Sequence, residues 1–268
     1  MEIAQETSGN WLLRRMSAAD FALLRPLLRR TVVRNGDRLG TTGELIDSVC
    51  FPEAGLAGFL DVQPGGNLAI GLLGREGFVG WPLLMANDRW GHDVVARGRD
   101  ATALRIDAAP LEAALNASAS LRCLLLRYAS TFVTQLSQTI VSNLAHPVEK
   151  RLARWLLLYH DRLDSDELDI THDELGAMLN VRRASITSAL HDLEGSGWIR
   201  GFRGRIVVRD RFALESLTAD TYGFAEREYA RLIGRPHRGQ GRAIEADSPL
   251  SKRAQDGADA EALSVVER

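Results

Sequence analysis

An abrupt change in glycine content divides this chain into two kinds of sequence. Between Thr31 and Ala108, glycines punctuate a series of short apolar runs, whereas no glycine occurs from Ala108 to Leu175. Tight turns and bulges between strands favour glycine because it adopts positive φ without a steric penalty. Short strands at this spacing predict an antiparallel sandwich or barrel. The apolar runs are Leu45–Phe51, Leu56–Val62, Leu68–Leu73, Asp93–Ala96 and Ala101–Ile106.

The glycine-free segment predicts a long helix that is covered on most of its sides. Its apolar residues step by three or four positions, which is the helical period. The helix is expected to end near His146-Pro147, since a residue before proline is pushed out of the α region. The stretch Tyr128–Val148 contains no Asp, Glu, Lys or Arg, although a helix facing solvent normally carries charge. We therefore predict that residues 109–146 form a dimerisation helix, with burial in a monomer core as the alternative.

Four further segments lie outside these two parts. Residues 1–30 carry apolar residues at helical spacing, and Ser17 is the expected N-cap of a short helix there. Further helices are predicted at Val148–Leu163 and at 221–234. Residues 235–268 are poor in apolar side chains, so we predict that they form a disordered tail.

Residues 171–209 have the pattern of a helix-turn-helix followed by a β-hairpin. Thr171 and a glutamate three positions later predict a capping box at the start of a first helix, Asp173–Leu179. Asn180 tolerates the left-handed conformation that a tight turn needs, and the second helix is predicted from Arg182 to Gly195. Two short apolar strands joined by the basic turn Phe202–Arg205 follow. A helix-turn-helix with such a hairpin is a winged helix.

This winged helix is basic in a chain whose net charge is −2. Val181–Arg209 contains six arginines and two acidic residues, a local charge of +4, which suits contact with DNA phosphates. Side chains in the first half of the second helix enter the major groove in such domains, so we expect Arg183 to contact guanine. A winged helix that docks a protein is the alternative. The predicted DNA-binding residues are Arg182, Arg183, Ser185, Thr187 and Ser188 in the helix, with Thr171, Arg203 and Arg205 on phosphates.

The order of these parts resembles the Crp/Fnr family of bacterial transcription regulators. The resemblance extends from about Thr31 to Leu217, and its most specific section includes Glu149–Leu156 and Ile170–Gly176. It implies an α+β fold. Its parts are an N-terminal antiparallel β-roll (a double-stranded β-helix, jelly-roll-like) at 31–108, the central dimerisation helix, and a C-terminal winged helix-turn-helix at 147–220.

The resemblance also implies a set of partners. The family binds a pseudo-palindromic double-stranded DNA operator as a homodimer, uses the β-roll as a sensor of a small-molecule effector, and works with RNA polymerase. A regulator that acts without any ligand, and a small-molecule-binding regulatory subunit that controls a protein partner without binding DNA, are the alternatives.

The residues that hold cyclic AMP in this family are not preserved here. Family members have a Gly-Glu pair for the ribose hydroxyl and an Arg-Ser pair for the cyclic phosphate. Val79 or Trp81 stands at the position of the glutamate, and no serine follows Arg89. Cyclic AMP is therefore not the expected effector. The predicted effector pocket consists of Gly77, Gly80, Trp81, Arg89 and His92. For Trp81 and Trp90, packing in the core of the β-roll is the alternative interpretation.

The recognition helix departs from the family as well, because Ala184 and Ser188 replace a glutamate and an arginine that read the operator in many members. A different operator sequence is therefore expected.

No cofactor, metal ion or catalytic function is expected. Cys50 and Cys123 are too few for an iron–sulfur cluster or a Cys₄ zinc site, and both are predicted to be small buried apolar residues. The six histidines show no ligand spacing, and no nucleophile elbow or phosphate loop is present. No signal peptide is recognised, and the uncharged central stretch is too polar for a bilayer, so we expect a cytoplasmic protein without a membrane partner.

Overall fold

A computed structural model describes residues 3–63 and 66–235 of the chain. Apart from Arg235, the segment predicted to be a disordered tail lies outside the described residues. The chain begins with two short helices, α1 (Trp11–Arg14) and α2 (Ala18–Leu24). Ser17 caps α2 as predicted, because its side chain accepts a hydrogen bond from the backbone N–H of Asp20.

Seven strands form the N-terminal β-roll in two antiparallel sheets. One sheet has the order β1-β7-β3 and the other β2-β6-β4-β5. The predicted α+β fold with an N-terminal antiparallel β-roll is therefore confirmed. One apolar core includes both sheets and parts of the neighbouring helices, with Phe51, Phe59 and Leu104 fully or nearly fully buried. The strands are β1 (Arg29–Val33), β2 (Arg38–Gly40), β3 (Ser48–Pro52), β4 (Leu56–Gln63), β5 (Gly66–Leu73), β6 (Asp93–Arg97) and β7 (Ala101–Asp107).

The central segment consists of two helices where one was predicted over 109–146. They are α3 (Ala108–Ala117) and α4 (Ala119–Ala145). Ser118 breaks the run, since its backbone is extended (φ −131°) and its side chain accepts from the N–H of Leu121. An N-cap hydroxyl of this kind competes with helix continuation. The long helix α4 then ends at His146, whose backbone is extended as expected for a residue before proline.

The C-terminal part is a winged helix extended by two helices. A three-stranded sheet with the order β8-β10-β9 packs with three helices. Strand β8 was not predicted, because its acidic sequence and short length resemble a loop. The elements are α5 (Val148–Arg162), β8 (Glu167–Asp169), α6 (His172–Leu179), α7 (Arg183–Gly195), β9 (Ile199–Phe202), β10 (Arg205–Val208), α8 (Arg211–Leu217) and α9 (Phe224–Leu232).

A buried polar cluster around Glu76 joins the β-roll to the winged helix. Arg162 at the end of α5 donates to the Glu76 carboxylate at 2.7 Å, and both side chains are buried. The hydroxyl of Tyr229 in α9 donates to the backbone carbonyl of Glu76 at 2.8 Å. A buried charged or polar group that loses its partner costs more free energy than breaking a hydrogen bond at the surface. The cluster therefore fixes α5 and α9 against the β-roll.

Among the helices of residues 3–63 and 66–235, none has both the length and the apolar content of a membrane span.

Candidate nucleic-acid interface

The turn between α6 and α7 is built as the sequence predicts. Thr171 and Glu174 form a complete capping box at the start of α6. Asn180 ends α6 in the left-handed conformation, with φ 49° and ψ 51°. A Cβ on Gly176 would lie 3.2 Å from the carbonyl oxygen of Val181, so a small residue is favoured where the turn approaches α6. These contacts fix the direction in which α7 leaves the turn.

Helix α7 has one buried face and one exposed face. Its apolar face packs into the core of the winged helix through Ile186, Leu190 and Leu193. The opposite face of its first half is exposed except for Ser185, which is half-buried. Arg182 is the N-cap of the helix rather than its first residue. The exposed predicted residues of this half are Arg182, Arg183, Thr187 and Ser188.

Arg183 is held by an acidic residue that sequence reasoning did not single out. Its guanidinium donates to both carboxylate oxygens of Asp173 in α6, at 2.8 and 3.1 Å. Both side chains are about two-thirds exposed, so the pair is weak and exchanges readily with another acceptor. Asp173 therefore orients Arg183 at the start of α7 without burying it. In the sequence, Asp173 was visible only as an acidic residue in the first turn of α6. Such a residue alone indicates a favourable interaction with the helix dipole and not a contact with Arg183.

Two predicted hydroxyl residues already have partners within the protein. Thr171 uses its Oγ1 in the capping box, where it donates to Glu174 and accepts from the Glu174 N–H. Thr187 donates to the carbonyl of Arg183 at 3.1 Å and lies 3.2 Å from Nδ1 of His172. Both hydroxyls support the local backbone, and both residues remain exposed.

The wing presents one exposed arginine at its tip and a second that is tied down. Arg203 lies in the two-residue turn between β9 and β10, and Gly204 supplies the positive φ (73°) of that turn. Arg205 donates to Glu167 of β8 at 2.8 Å and stacks over the ring of Phe202, 4.8 Å from its centroid. Arg205 therefore has a structural contact that the sequence reasoning did not predict.

Phe202 and Arg200 extend this basic surface. The guanidinium of Arg200 lies 5.5 Å from the centroid of the Phe202 ring, and both residues are exposed on strand β9. An exposed aromatic ring between two arginines reduces the mobility of both through cation–π contacts. The sequence feature that could have predicted these contacts is the alternation of arginine with phenylalanine in β9.

The predicted effector pocket is only partly assembled. Trp81 and His92 both line a cavity of about 250 Å³ beside β4. Arg89 does not line it, because this exposed guanidinium donates to the carbonyl of Gly43. Gly77 and Gly80 do not line it either. A Cβ on Gly77 would clash with Tyr128 and one on Gly80 with Val49, so both glycines permit close packing.

The predicted burial of Trp90, Cys50 and Cys123 is confirmed for the first two residues and wrong for the third. Trp90 is buried in the core cluster as one interpretation predicted, and it also lines the cavity. Cys50 is buried as expected, and burial raises the pKa of its thiol to about 12. The expectation that Cys123 is buried was wrong, because it lies on the exposed side of α4. Helical spacing alone did not reveal which side of α4 the β-roll covers.

Within residues 3–63 and 66–235, no group of three or more His, Cys, Asp or Glu side chains is arranged to hold a metal ion.

Comparison with known proteins identifies the C-terminal domain and the fold. Residues 150–217 match the Crp-like helix-turn-helix domain. No curated protein sequence matches the chain. The resemblance to Crp/Fnr regulators is thus confirmed for the winged helix by the family model, and for the overall fold by solved structures.

Three of those structures illustrate the likeness. FixK2 from Bradyrhizobium japonicum is 16% identical with a TM-score of 0.62, and the match covers 71% of this chain and 96% of FixK2. A Crp/Fnr-family transcriptional regulator from Thermus thermophilus is 21% identical, with a TM-score of 0.58 and coverage of 72% and 100%. The c-di-GMP-responsive regulator CLP from Xanthomonas campestris is 15% identical, with a TM-score of 0.58 and coverage of 72% and 99%. At these identities the likeness establishes the fold.

Proposed function

We propose that this DNA-binding transcription regulator of the Crp/Fnr type acts as a homodimer on a two-fold symmetric operator. The observation that carries the proposal is the exposed first half of α7, with Arg182 and Arg183 at its N-terminal end and further exposed arginines on the wing of the same domain. A helix packed by one face and exposed on the other, with arginines at its N-terminal end, fits the major groove. A guanidinium can contact guanine with two hydrogen bonds, and we assign that contact to Arg183.

Arg203 and Arg200 on the wing are the residues we assign to phosphate contact. Arg203 lies at the tip of the hairpin and Arg200 on its exposed face. Contacts of this type fix the register of a protein on the duplex and carry no sequence information. Arg205 contributes charge from a fixed position, because Glu167 and Phe202 hold its side chain.

The outer side of α4 supports the homodimer. Leu126, Val133 and Ile140 repeat every seven residues, which is the spacing of a helix–helix interface. Ile140 is 57% exposed and Leu144 is 84% exposed. Exposed apolar residues aligned along one helix mark an interaction surface. We call this surface the outer stripe, and it consists of Leu126, Ser130, Val133, Ser137, Ile140 and Leu144, all exposed.

We further propose a cytoplasmic protein whose β-roll cavity receives a small-molecule effector and whose DNA-bound form meets RNA polymerase. Support for the effector is the cavity lined by Trp81, Trp90 and His92. One ring of that cavity, Trp81, also lies 6.1 Å from the ring of Phe132 in α4, so the cavity borders the proposed dimer helix.

Selection from random DNA duplexes by the purified full chain tests this function. We expect an enriched motif with two-fold symmetry and half-sites centred about one helical turn apart, roughly 10 base pairs. An enriched motif without symmetry contradicts the homodimer. No enrichment at low salt, with the protein folded, contradicts sequence-specific recognition and favours a subunit that regulates a protein partner.

A further inference from the structure

The cavity beside β4 has walls that specify the chemistry of its ligand. Its lining is dominated by Phe59, Trp81, Pro82, Met85 and Trp90. Flat aromatic walls with a thioether favour a planar, apolar ligand, because rings gain from offset stacking and from sulfur–aromatic contact. At about 250 Å³ the cavity lies between a benzene-sized cavity of about 150 Å³ and typical drug-sized pockets of about 300 Å³ or more. One or two fused rings match this volume.

Two residues of the lining each carry a buried nitrogen atom that has no hydrogen-bond partner among the described residues. The two atoms are Nε1 of Trp81 and Nδ1 of His92. A buried polar atom without a partner costs about 1–3 kcal/mol, so such atoms are rare unless a ligand or water satisfies them. The indole N–H is a donor only, and therefore its missing partner is an acceptor. The imidazole nitrogen accepts or donates according to its tautomer.

The charges around the cavity disfavour an anion. Among the lining residues there is no lysine or arginine, and the guanidinium of Arg89 is directed to the carbonyl of Gly43. Asp93 follows His92 directly and is buried. Hydrogen bonds from Thr42, followed by the charge of Arg38, hold the pKa of Asp93 below its usual value, so this carboxylate stays ionised at neutral pH. Arg38 already pairs with Asp93 at 2.9 Å, and no lysine or arginine lines the cavity to neutralise a phosphate or carboxylate ligand.

We propose that this cavity binds an uncharged aromatic molecule of one or two rings that carries a hydrogen-bond acceptor for Nε1 of Trp81. This inference rests on the proposed effector role of the cavity and names its ligand class. The acceptor is a carbonyl or an equivalent neutral oxygen. Trp81 provides the specificity-determining donor, and His92 provides a second polar contact.

Isothermal titration calorimetry of the full chain with indole-3-carbaldehyde tests the proposal. This probe has two fused rings, no charge and one carbonyl acceptor. We expect saturable binding with one site per chain. We also expect 3-methylindole, which keeps the rings but lacks the carbonyl, to bind about tenfold more weakly, since one buried hydrogen bond is lost. Cyclic AMP is expected to give no binding heat.

The matched variants are Trp81→Phe and Trp198→Phe. Both remove an indole from a half-buried position, but only Trp81 lines the cavity, while Trp198 packs in the winged helix. Trp81→Phe keeps an aromatic wall and removes the N–H. We expect it to weaken the carbaldehyde about tenfold and to leave 3-methylindole within about twofold, whereas Trp198→Phe changes neither. Unchanged far-UV circular dichroism and a cooperative melting transition show that each variant is folded.

Three results overturn the proposal: no binding of the carbaldehyde to the folded wild type, equal affinity of the carbaldehyde for Trp81→Phe and wild type, or tighter binding of cyclic AMP than of either indole. Duplex selection is scored separately. Failure of wild-type DNA recognition contradicts the proposed function and does not alter the calorimetric result, so the two failures are distinguishable.

Discussion

At the scale of single residues, the roles of the arginines are separated by their partners rather than by their charge. Arg183 is oriented by the exposed Asp173 at the N-terminal end of α7, and Arg205 is tied to Glu167 and Phe202. Arg203 lies at an exposed turn. Arginines that look equivalent in the sequence therefore differ in their contacts, and we propose base contact for Arg183, phosphate contact for Arg203 and support of the wing for Arg205.

This division predicts different effects for Arg183→Ala and Arg203→Ala. Arg183→Ala should cost about 1–3 kcal/mol on the selected motif and relax base preference at one position of each half-site. Arg203→Ala should weaken all duplexes uniformly and reduce the slope of log affinity against log salt by about one per chain. Fluorescence anisotropy on matched and mutated duplexes at several salt concentrations measures both. A uniform loss for Arg183→Ala with the motif unchanged contradicts its assignment to a base.

Local residue roles were predictable, whereas long-range pairs were not. The caps at Ser17 and Thr171 and the left-handed Asn180 follow from residue type and short spacing, and the structure confirms them. The Arg205–Glu167 pair joins residues 38 positions apart, and no local rule indicates it. The exposure of Cys123 depends likewise on which face of α4 meets the β-roll.

At the scale of elements, periodicity predicted the long helices and failed at their interruptions. The steps of three and four residues identified α4 and α5, and proline placed the end of α4. The break at Ser118 was missed because alanine and leucine continue on both sides of it. Strand β8 was missed because its three residues gain their strand geometry only by pairing with β10.

The outer stripe of α4 predicts a specific effect of Ile140→Glu. In a symmetric helix pair, each chain would bury one carboxylate at this position. The outer stripe contains no cation that could pair with it. We expect the dissociation constant of the dimer to rise roughly 100-fold or more, as measured by sedimentation velocity over a concentration series.

The control for this change is Val32→Glu on β1. Val32 is 63% exposed, close to the 57% of Ile140, but it belongs to strand β1 and not to the outer stripe of α4. The control should leave the dimer intact, and far-UV circular dichroism should show that both variants keep the wild-type secondary structure. A dimer that survives Ile140→Glu places the subunit interface elsewhere.

At the scale of the whole molecule, direct contacts join the cavity beside β4 to α4 and join the β-roll to the winged helix. Trp81 of the cavity faces Phe132 of α4, and Glu76 shares its buried pair with Arg162 of α5. A regulator of this type needs its recognition helices held at a fixed separation, because the half-sites of an operator are one helical turn apart. The contacts supply a physical route by which the cavity and that separation can be coupled.

The central claim is that two copies of the chain read one symmetric operator, and the stoichiometry on the selected duplex tests it most directly. Sedimentation velocity of the full chain with the labelled duplex should give two chains on one duplex that contains both half-sites. A complex of one chain per duplex at saturation, bound as tightly to a single half-site as to the full site, would contradict the account.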